Sequence, residues 1–304
     1  MAEESVRLRN IEDERVLITG ITGIHGWPLF RLLQKMLPGD RLVGIGPPGM
    51  RMPTGDAVVQ CCVADMQRLA EIKKRFAPTL VIHAAGVCDL DVCEERPRWA
   101  DLINRQGTAV LAELFSDAAR FVYLSTDLVF SGNAPPAGGY AEHHQPDPVS
   151  VAGKTFLAGE RELLTRSPAC TIIRLGLPMG ASVTHDKGGL DWIEGRFRKN
   201  RRVTLFSDEF RSVLSTKDAA RCVVECIAGE LRGVFHLGGP ESLSLHQLGS
   251  MIIAGGGYRQ DLLDGILRCE EKNGPPRIGD VTLNSGKIAR HLSRPPSGWR
   301  YGME

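Results

Sequence analysis

The sequence predicts an α/β fold: a doubly wound parallel sheet in the N-terminal part, with a smaller C-terminal lobe. Three observations carry this. Short, wholly apolar runs end in small residues, as strands buried on both faces do. Segments with the periodicity of amphipathic helices separate them, and strict strand–helix alternation requires a parallel sheet covered on both faces. The first apolar run also opens into a glycine-spaced turn, Gly20-Ile21-Thr22-Gly23-Ile24-His25-Gly26.

In order, residues 15–20 read as the first strand and 27–36 as a helix, stopped by Pro38-Gly39. Residues 41–45 and 58–63 read as the second and third strands, with a helix over 67–76. Residues 79–86 form a fourth strand that runs into Ala84-Ala85-Gly86. A single long helix is expected over 99–118, a fifth strand over 121–125, a helix over 149–166 and a sixth strand over 170–175. Beyond that the pattern loosens. Residues 216–228 read as a helix and 233–237 as a strand, while 239–304 are rich in glycine, proline and polar residues. The expected division places 1–176 in the sheet domain, with the elements around 212–238 returning to it. Residues 177–211 and 239–304 would build the substrate lobe.

A net charge of +1 over 304 residues offers no electrostatic footprint for nucleic acid. The eight cysteines lack paired C-x-x-C spacing, so neither a zinc site nor a disulfide framework is expected; reduced thiols in a cytoplasmic protein fit better. Residues 1–14 are polar, without a secretory core, and no apolar run has the length of a membrane span. Arg196, Arg198, Lys199, Arg201 and Arg202 read as a solvated helix face and its exit turn, or as a docking surface for an anionic substrate tail.

The glycine turn sits where a dinucleotide site needs it, between a buried strand and a helix. Gly20 permits the tight turn, Gly23 lets backbone N–H groups approach a pyrophosphate, and Gly26 allows close helix–sheet packing. Ile24 and His25 lie between them, at the positive end of the following helix. No acid follows the second strand, which runs into Gly46-Pro47-Pro48-Gly49-Met50-Arg51. An acid there would serve the ribose hydroxyls of NAD, whereas Arg51 could meet a 2′-phosphate, so NADP(H) is favoured over NAD(H). Asp65, with Met66 beside it, is placed at the adenine, and Ala84, Ala85 and Gly86 would line the ribose and diphosphate.

The chain resembles the extended short-chain dehydrogenase/reductases, and most closely their dTDP-4-dehydrorhamnose reductase type. The markers are T-G-x-x-G-x-x-G at 19–26, H-A-A-G at 83–86, C-E-x-x-P at 93–97, Asn104 with Gly107-Thr108, and S-T-D-L-V-F-S-G at 125–132. Gly139-Tyr140-Ala141-Glu142, Arg174 with Gly180, and 236–239 also fit. The resemblance implies NAD(P) in the N-terminal lobe, with Asn104 and Ser125 in its surroundings. It also implies a small-molecule substrate, commonly a nucleotide-linked sugar, in the C-terminal lobe. A homodimer or an enzyme partner is compatible with it.

The family's catalytic stretch reads Y-G-x-[S/T]-K-x-x-G-E, and here 152–160 read A-G-K-T-F-L-A-G-E. Ala152 replaces the tyrosine that exchanges a proton with the substrate, and Phe156 replaces its lysine partner. Pairing Ser150 with Lys154 instead still yields no tyrosine. Loss of a general acid typically costs about 10²–10⁴-fold in rate. Candidate substitutes are Asp127 and Thr126 after the fifth strand, and Tyr140 in the loop over 133–148, with His143-His144 as further titratable groups there. Three readings follow: an oxidoreductase-type enzyme with another proton donor, a noncatalytic NAD(P)-binding regulatory subunit, or a lyase, isomerase or cyclase reusing the pocket.

Overall fold

The computed structural model describes residues 11–50, 57–180, 183 and 188–302. Twelve strands are found among them: β1 Val16–Thr19, β2 Leu42–Gly46, β3 Val58–Gln60, β4 Leu80–His83, β5 Arg120–Thr126, β6 Thr171–Leu175, β7 Leu177–Met179, β8 Val203–Phe206, β9 Phe210–Ser215, β10 Gly233–Leu237, β11 Glu241–Ser244 and β12 Leu263–Ile266. Seven form one sheet in the order β10-β6-β5-β4-β1-β2-β3, all parallel. The order reverses between β1 and β4, and the crevice above their carboxyl ends is where open α/β sheets bind ligands.

The helices are α1 Gly26–Met36, α2 Met66–Phe76, α3 Leu90–Glu95, α4 Pro97–Asp101, α5 Gly107–Phe115, α6 Val151–Arg166, α7 Gly189–Arg198, α8 Thr216–Ala228, α9 Leu245–Gly256 and α10 Gly286–Ala289. Leu29, Phe30 and Leu33 of α1 and Val223 and Ile227 of α8 fill the core on one face of the sheet. Leu69 of α2, Leu111 and Phe115 of α5, and Phe156 and Leu163 of α6 fill the other. A third core lies under Phe197 of α7, Ile252 of α9 and Trp299, against the sheets β11-β9-β7 and β12-β8. No helix among the described residues is long and apolar enough to cross a membrane.

Two elements differ from expectation. The third strand stops at Gln60 rather than 63. The expected helix over 99–118 is α4 and α5 joined by a π-helical turn, Leu102–Gln106. The physical reason is Asn104. Its side chain accepts from Val87 N–H at 2.8 Å and donates to the Val87 carbonyl and to Thr155 Oγ1, each at 2.9 Å. One extra residue in the turn goes with an inward amide that staples the wall after β4 to α6.

Candidate functional site

Three loops meet above the switch point. The first is the glycine turn. Gly20 has φ +72°, and a Cβ there would lie 2.5 Å from Ala84 O and Ala85 N. A Cβ on Gly26 would lie 2.2 Å from Gly20 O, so both positions require glycine for close packing. Gly23 is different: a Cβ there would meet only Gly20 O, at 3.4 Å, so close packing does not require glycine at this position. The N–H groups of Ile24 and His25 donate to no carbonyl among the described residues. α1 has no side-chain cap and no acid in its first turn, so its positive end is left to an anion. These features fit a dinucleotide pyrophosphate.

The second loop, Ala84 to Cys88, is set by a directional hydrogen-bond chain. Ala85 N–H donates to Thr19 Oγ1 at 3.2 Å, and Thr19 Oγ1 lies 2.7 Å from His83 Nδ1. On the other side His83 Nε2 lies 3.0 Å from Thr108 Oγ1, whose proton goes to the Asn104 carbonyl at 2.6 Å. Thr108 must therefore accept from Nε2–H, and Thr19 must donate to Nδ1. His83 is a neutral imidazole, and burial lowers its pKa to about 3. Gly86 is exposed on this wall, as is Cys88 beyond it. Desolvation by the surrounding protein raises the Cys88 thiol, while the Arg211 charge opposes that.

The third loop follows β5. Ser125 Oγ donates to Glu160 Oε1 at 2.5 Å. Glu160 is clasped by Arg174, through Nε at 2.9 Å and Nη2 at 2.7 Å, and Arg174 reaches His236 Nε2 at 3.4 Å. Ser125 is thus held inside a buried ion pair. Thr126 caps the turn after β5, accepting from Leu128 N–H at 3.2 Å. Asp127 has no exposed surface and forms a two-pronged pair with Arg211 of β9, with Nε donating to Oδ2 at 2.6 Å and Nη2 to Oδ1. Burial pushes the Asp127 carboxyl upward, with Arg211 opposing; Arg211 is held above its usual range by Asp127 despite its own burial.

Tyr140 does not reach this crevice. It is buried, and its ring stacks on Phe130 at 4.1 Å while its backbone pairs with Thr282 and Asn284. His144 Nδ1 accepts from Ala141 N–H at 2.8 Å, and His143 is exposed beside it. Asp65 is exposed and caps α2, accepting from Arg68 N–H at 3.0 Å, with Met66 the first residue of that helix. Arg51 lies outside the described residues.

The replaced dyad positions belong to the core. Ala152 has no exposed surface. Phe156 is buried, with its ring centroid 6.3 Å from Tyr123, which in turn stacks 5.0 Å from His83. The far edge of Phe156 lies under Gly86, where a Cβ would come within 2.5 Å of its Cζ. Ser150 caps α6 through Gly153 N–H at 3.1 Å, and Lys154 points to solvent, so these two form no substitute dyad. Arg211, Glu209 with Arg277, and Cys88 were not singled out from sequence. Their partners lie far along the chain, and neither periodicity nor motif spacing marks them.

The comparisons agree with this architecture. A family profile described as RmlD substrate binding domain matches residues 14–304. The probable low-salt glycan biosynthesis reductase Agl14 of Haloferax volcanii is 28% identical over 282 residues, covering 91% of this chain and 85% of that protein. Methionine adenosyltransferase 2 subunit beta of Danio rerio is 28% identical over 241 residues, covering 77% and 71%. The dTDP-4-dehydrorhamnose reductase of Bacillus anthracis, solved in complex with NADP, superimposes with a TM-score of 0.78 at 20% identity, covering 93% and 95%; that likeness shows the fold. The chain belongs to the RmlD substrate-binding domain family, a sugar-nucleotide reductase-like branch of the extended short-chain dehydrogenase/reductases.

Proposed function

We propose that the crevice binds a nicotinamide dinucleotide, NADP(H) in preference to NAD(H), and that the protein works through this binding rather than through tyrosine-dependent carbonyl reduction. Gly23, Ile24, His25, Ala84, Ala85 and Gly86 would hold the dinucleotide, which supplies hydride chemistry when bound. The preference rests on the acid-free exit of β2. The observation that carries the reading is sequestration around the lost dyad. Ala152 and Phe156 are core residues, Asp127 is locked by Arg211, and Tyr140 is stacked away from the crevice. The relative named as a subunit of methionine adenosyltransferase 2 supports a regulatory role beside an enzyme partner.

A second reading, an oxidoreductase acting on a nucleotide-linked sugar with another proton donor, draws on the relative named as a glycan biosynthesis reductase. Its donor would be Cys88, exposed in the crevice with a thiol that its surroundings keep protonated. Calorimetric titration of the cofactor-stripped protein with NADPH, NADP⁺, NADH and NAD⁺ tests the first reading. We expect micromolar binding, tightest for the phosphorylated pair, and no NADPH oxidation with a nucleotide-linked ketosugar. Oxidation that disappears in Cys88→Ser would favour the second reading. Failure of all four dinucleotides to bind would remove both.

A further inference from the structure

The side chain of His25 has no assigned purpose. It sits between Gly23 and Gly26 at the N-cap of α1, where its own N–H and that of Ile24 donate to no carbonyl among the described residues. Its Nδ1 is buried and has no hydrogen-bond partner among the described residues. His25 borders a cavity of about 10 Å³ whose other walls are Ile24, Leu29, Leu124, Leu175, Pro178 and α8. Within that wall α8 contributes Thr216, Ala219, Ala220 and Val223, none of which titrates near neutrality. A buried polar atom without a partner calls for a physical explanation.

Among the described residues, the charges that bear on this histidine come from β9 and from the start of α7. Arg211 of β9 acts on it electrostatically, with Asp127 tied to the far side of that guanidinium. Over Ile24 lies the start of α7, where a Cβ on Gly188 would meet Ile24 Cγ2 at 3.0 Å and Asp191 Oδ2 at 3.5 Å. The positive end of α1 and Arg211 both disfavour an imidazolium. Burial and the Arg211 charge together lower the pKa of His25 to about 4.

We propose that His25 is the proton-taking residue of the dinucleotide site, so that a pyrophosphate settling on the glycine turn brings one proton onto its imidazole. This rests on the dinucleotide reading above. A pyrophosphate would place two negative charges beside a group on which Arg211 and the positive end of α1 act. The bound-state imidazolium would then gain neighbouring negative charge that the free state lacks. By linkage, the bound pKa exceeds the free one, and affinity must rise as pH falls between the two, by up to about tenfold per pH unit.

The test is calorimetric titration of the full chain with NADP⁺ at several pH values between 5 and 8, in pairs of buffers with different ionisation enthalpies. The wild type is compared with His25→Gln. Any titration of the ligand's own phosphates is common to both proteins, so the difference isolates the imidazole. We expect the wild type to take up close to one more proton than the variant at the acid end, and its affinity to rise more steeply as pH falls. An NMR titration of the wild-type His25 C2 proton, with and without NADP⁺, gives the same answer if the variant does not fold. Its pKa should rise on binding. Binding with equal proton uptake in the two proteins, or an unmoved His25 titration, would overturn the proposal. Absence of any dinucleotide binding would instead bring down the dinucleotide reading, and this inference with it.

Discussion

Phe156 illustrates how a single replacement changes what a crevice can do. The ring takes its place in a stack that continues through Tyr123 to His83, so the interior that supports the wall after β4 is aromatic and buried. That burial favours the neutral form of His83, and it has a consequence for pH. The folded pKa of His83 is about 3, as is that of His236, and burial is the leading cause in both. Unfolded histidine titrates near 6.5. Above that pH neither histidine affects stability, because both states are neutral. Below it the unfolded chain binds protons that the folded chain refuses, so stability is lost progressively between pH 6.5 and about 3. Each buried histidine contributes up to about 1.4 kcal/mol of loss per pH unit. Urea denaturation from pH 7.5 to 4.5 should show a fall that begins near 6.5 and is shallower in His83→Asn. A flat profile across that window would mean that these histidines are not held neutral by the fold.

At the level of elements, α6 is the piece on which the site depends, because it carries the dyad positions and packs without side-chain clearance. Gly159 lets it approach the π-turn: a Cβ there would lie 2.5 Å from Asn104 O and 3.0 Å from the Tyr123 hydroxyl. Gly153 does the same at the other end, where a Cβ would lie 2.0 Å from Leu128 O. Neither neighbour can move cheaply, since one is backbone of the π-turn and the other of the loop after β5. Gly159→Ala should therefore lower stability by about 1–3 kcal/mol through overpacking, although alanine is the better helix former. A thermal melt checks it, and a gain in melting temperature would show that the helix has slack. Much of this architecture was legible beforehand. Buried parallel strands are apolar runs, and a glycine turn between strand and helix has a distinctive spacing. The π-turn was not, because one inserted residue leaves helical periodicity almost unchanged, and only Asn104 bonding to Val87, 17 positions away, requires it. The burial of Tyr140 was equally hidden, since its partners Thr282 and Asn284 lie at the other end of the chain.

Across the whole molecule, the Asp127–Arg211 pair joins the loop after β5 to β9, and so ties the large sheet to the C-terminal elements. A second tie runs beside it. Residues 279–284 are bonded to both sides, through Gly279 N–H to Ser131 O at 2.8 Å, Asp280 N–H to Gly132 O at 3.0 Å and Val281 N–H to Phe210 O at 3.1 Å. Glu209 and Arg277, paired at 2.6 Å, add opposite charges next to the same junction. Charges this deeply buried favour a fixed arrangement only while both partners are present, because each alone retains its desolvation cost. Asp127→Leu should therefore cost about 3–5 kcal/mol, since it strands a buried guanidinium, and Arg211→Met should cost a similar amount by stranding the carboxylate. Replacing both, as Asp127→Leu with Arg211→Met, should recover much of the loss. Chemical denaturation of the four proteins closes the double-mutant cycle. A coupling of several kcal/mol would identify the pair as the structural clasp between the two parts, which is why Asp127 is withheld from proton transfer. Near-additive losses would mean that Asp127 and Arg211 act separately, and Asp127 would regain its standing as a candidate acid.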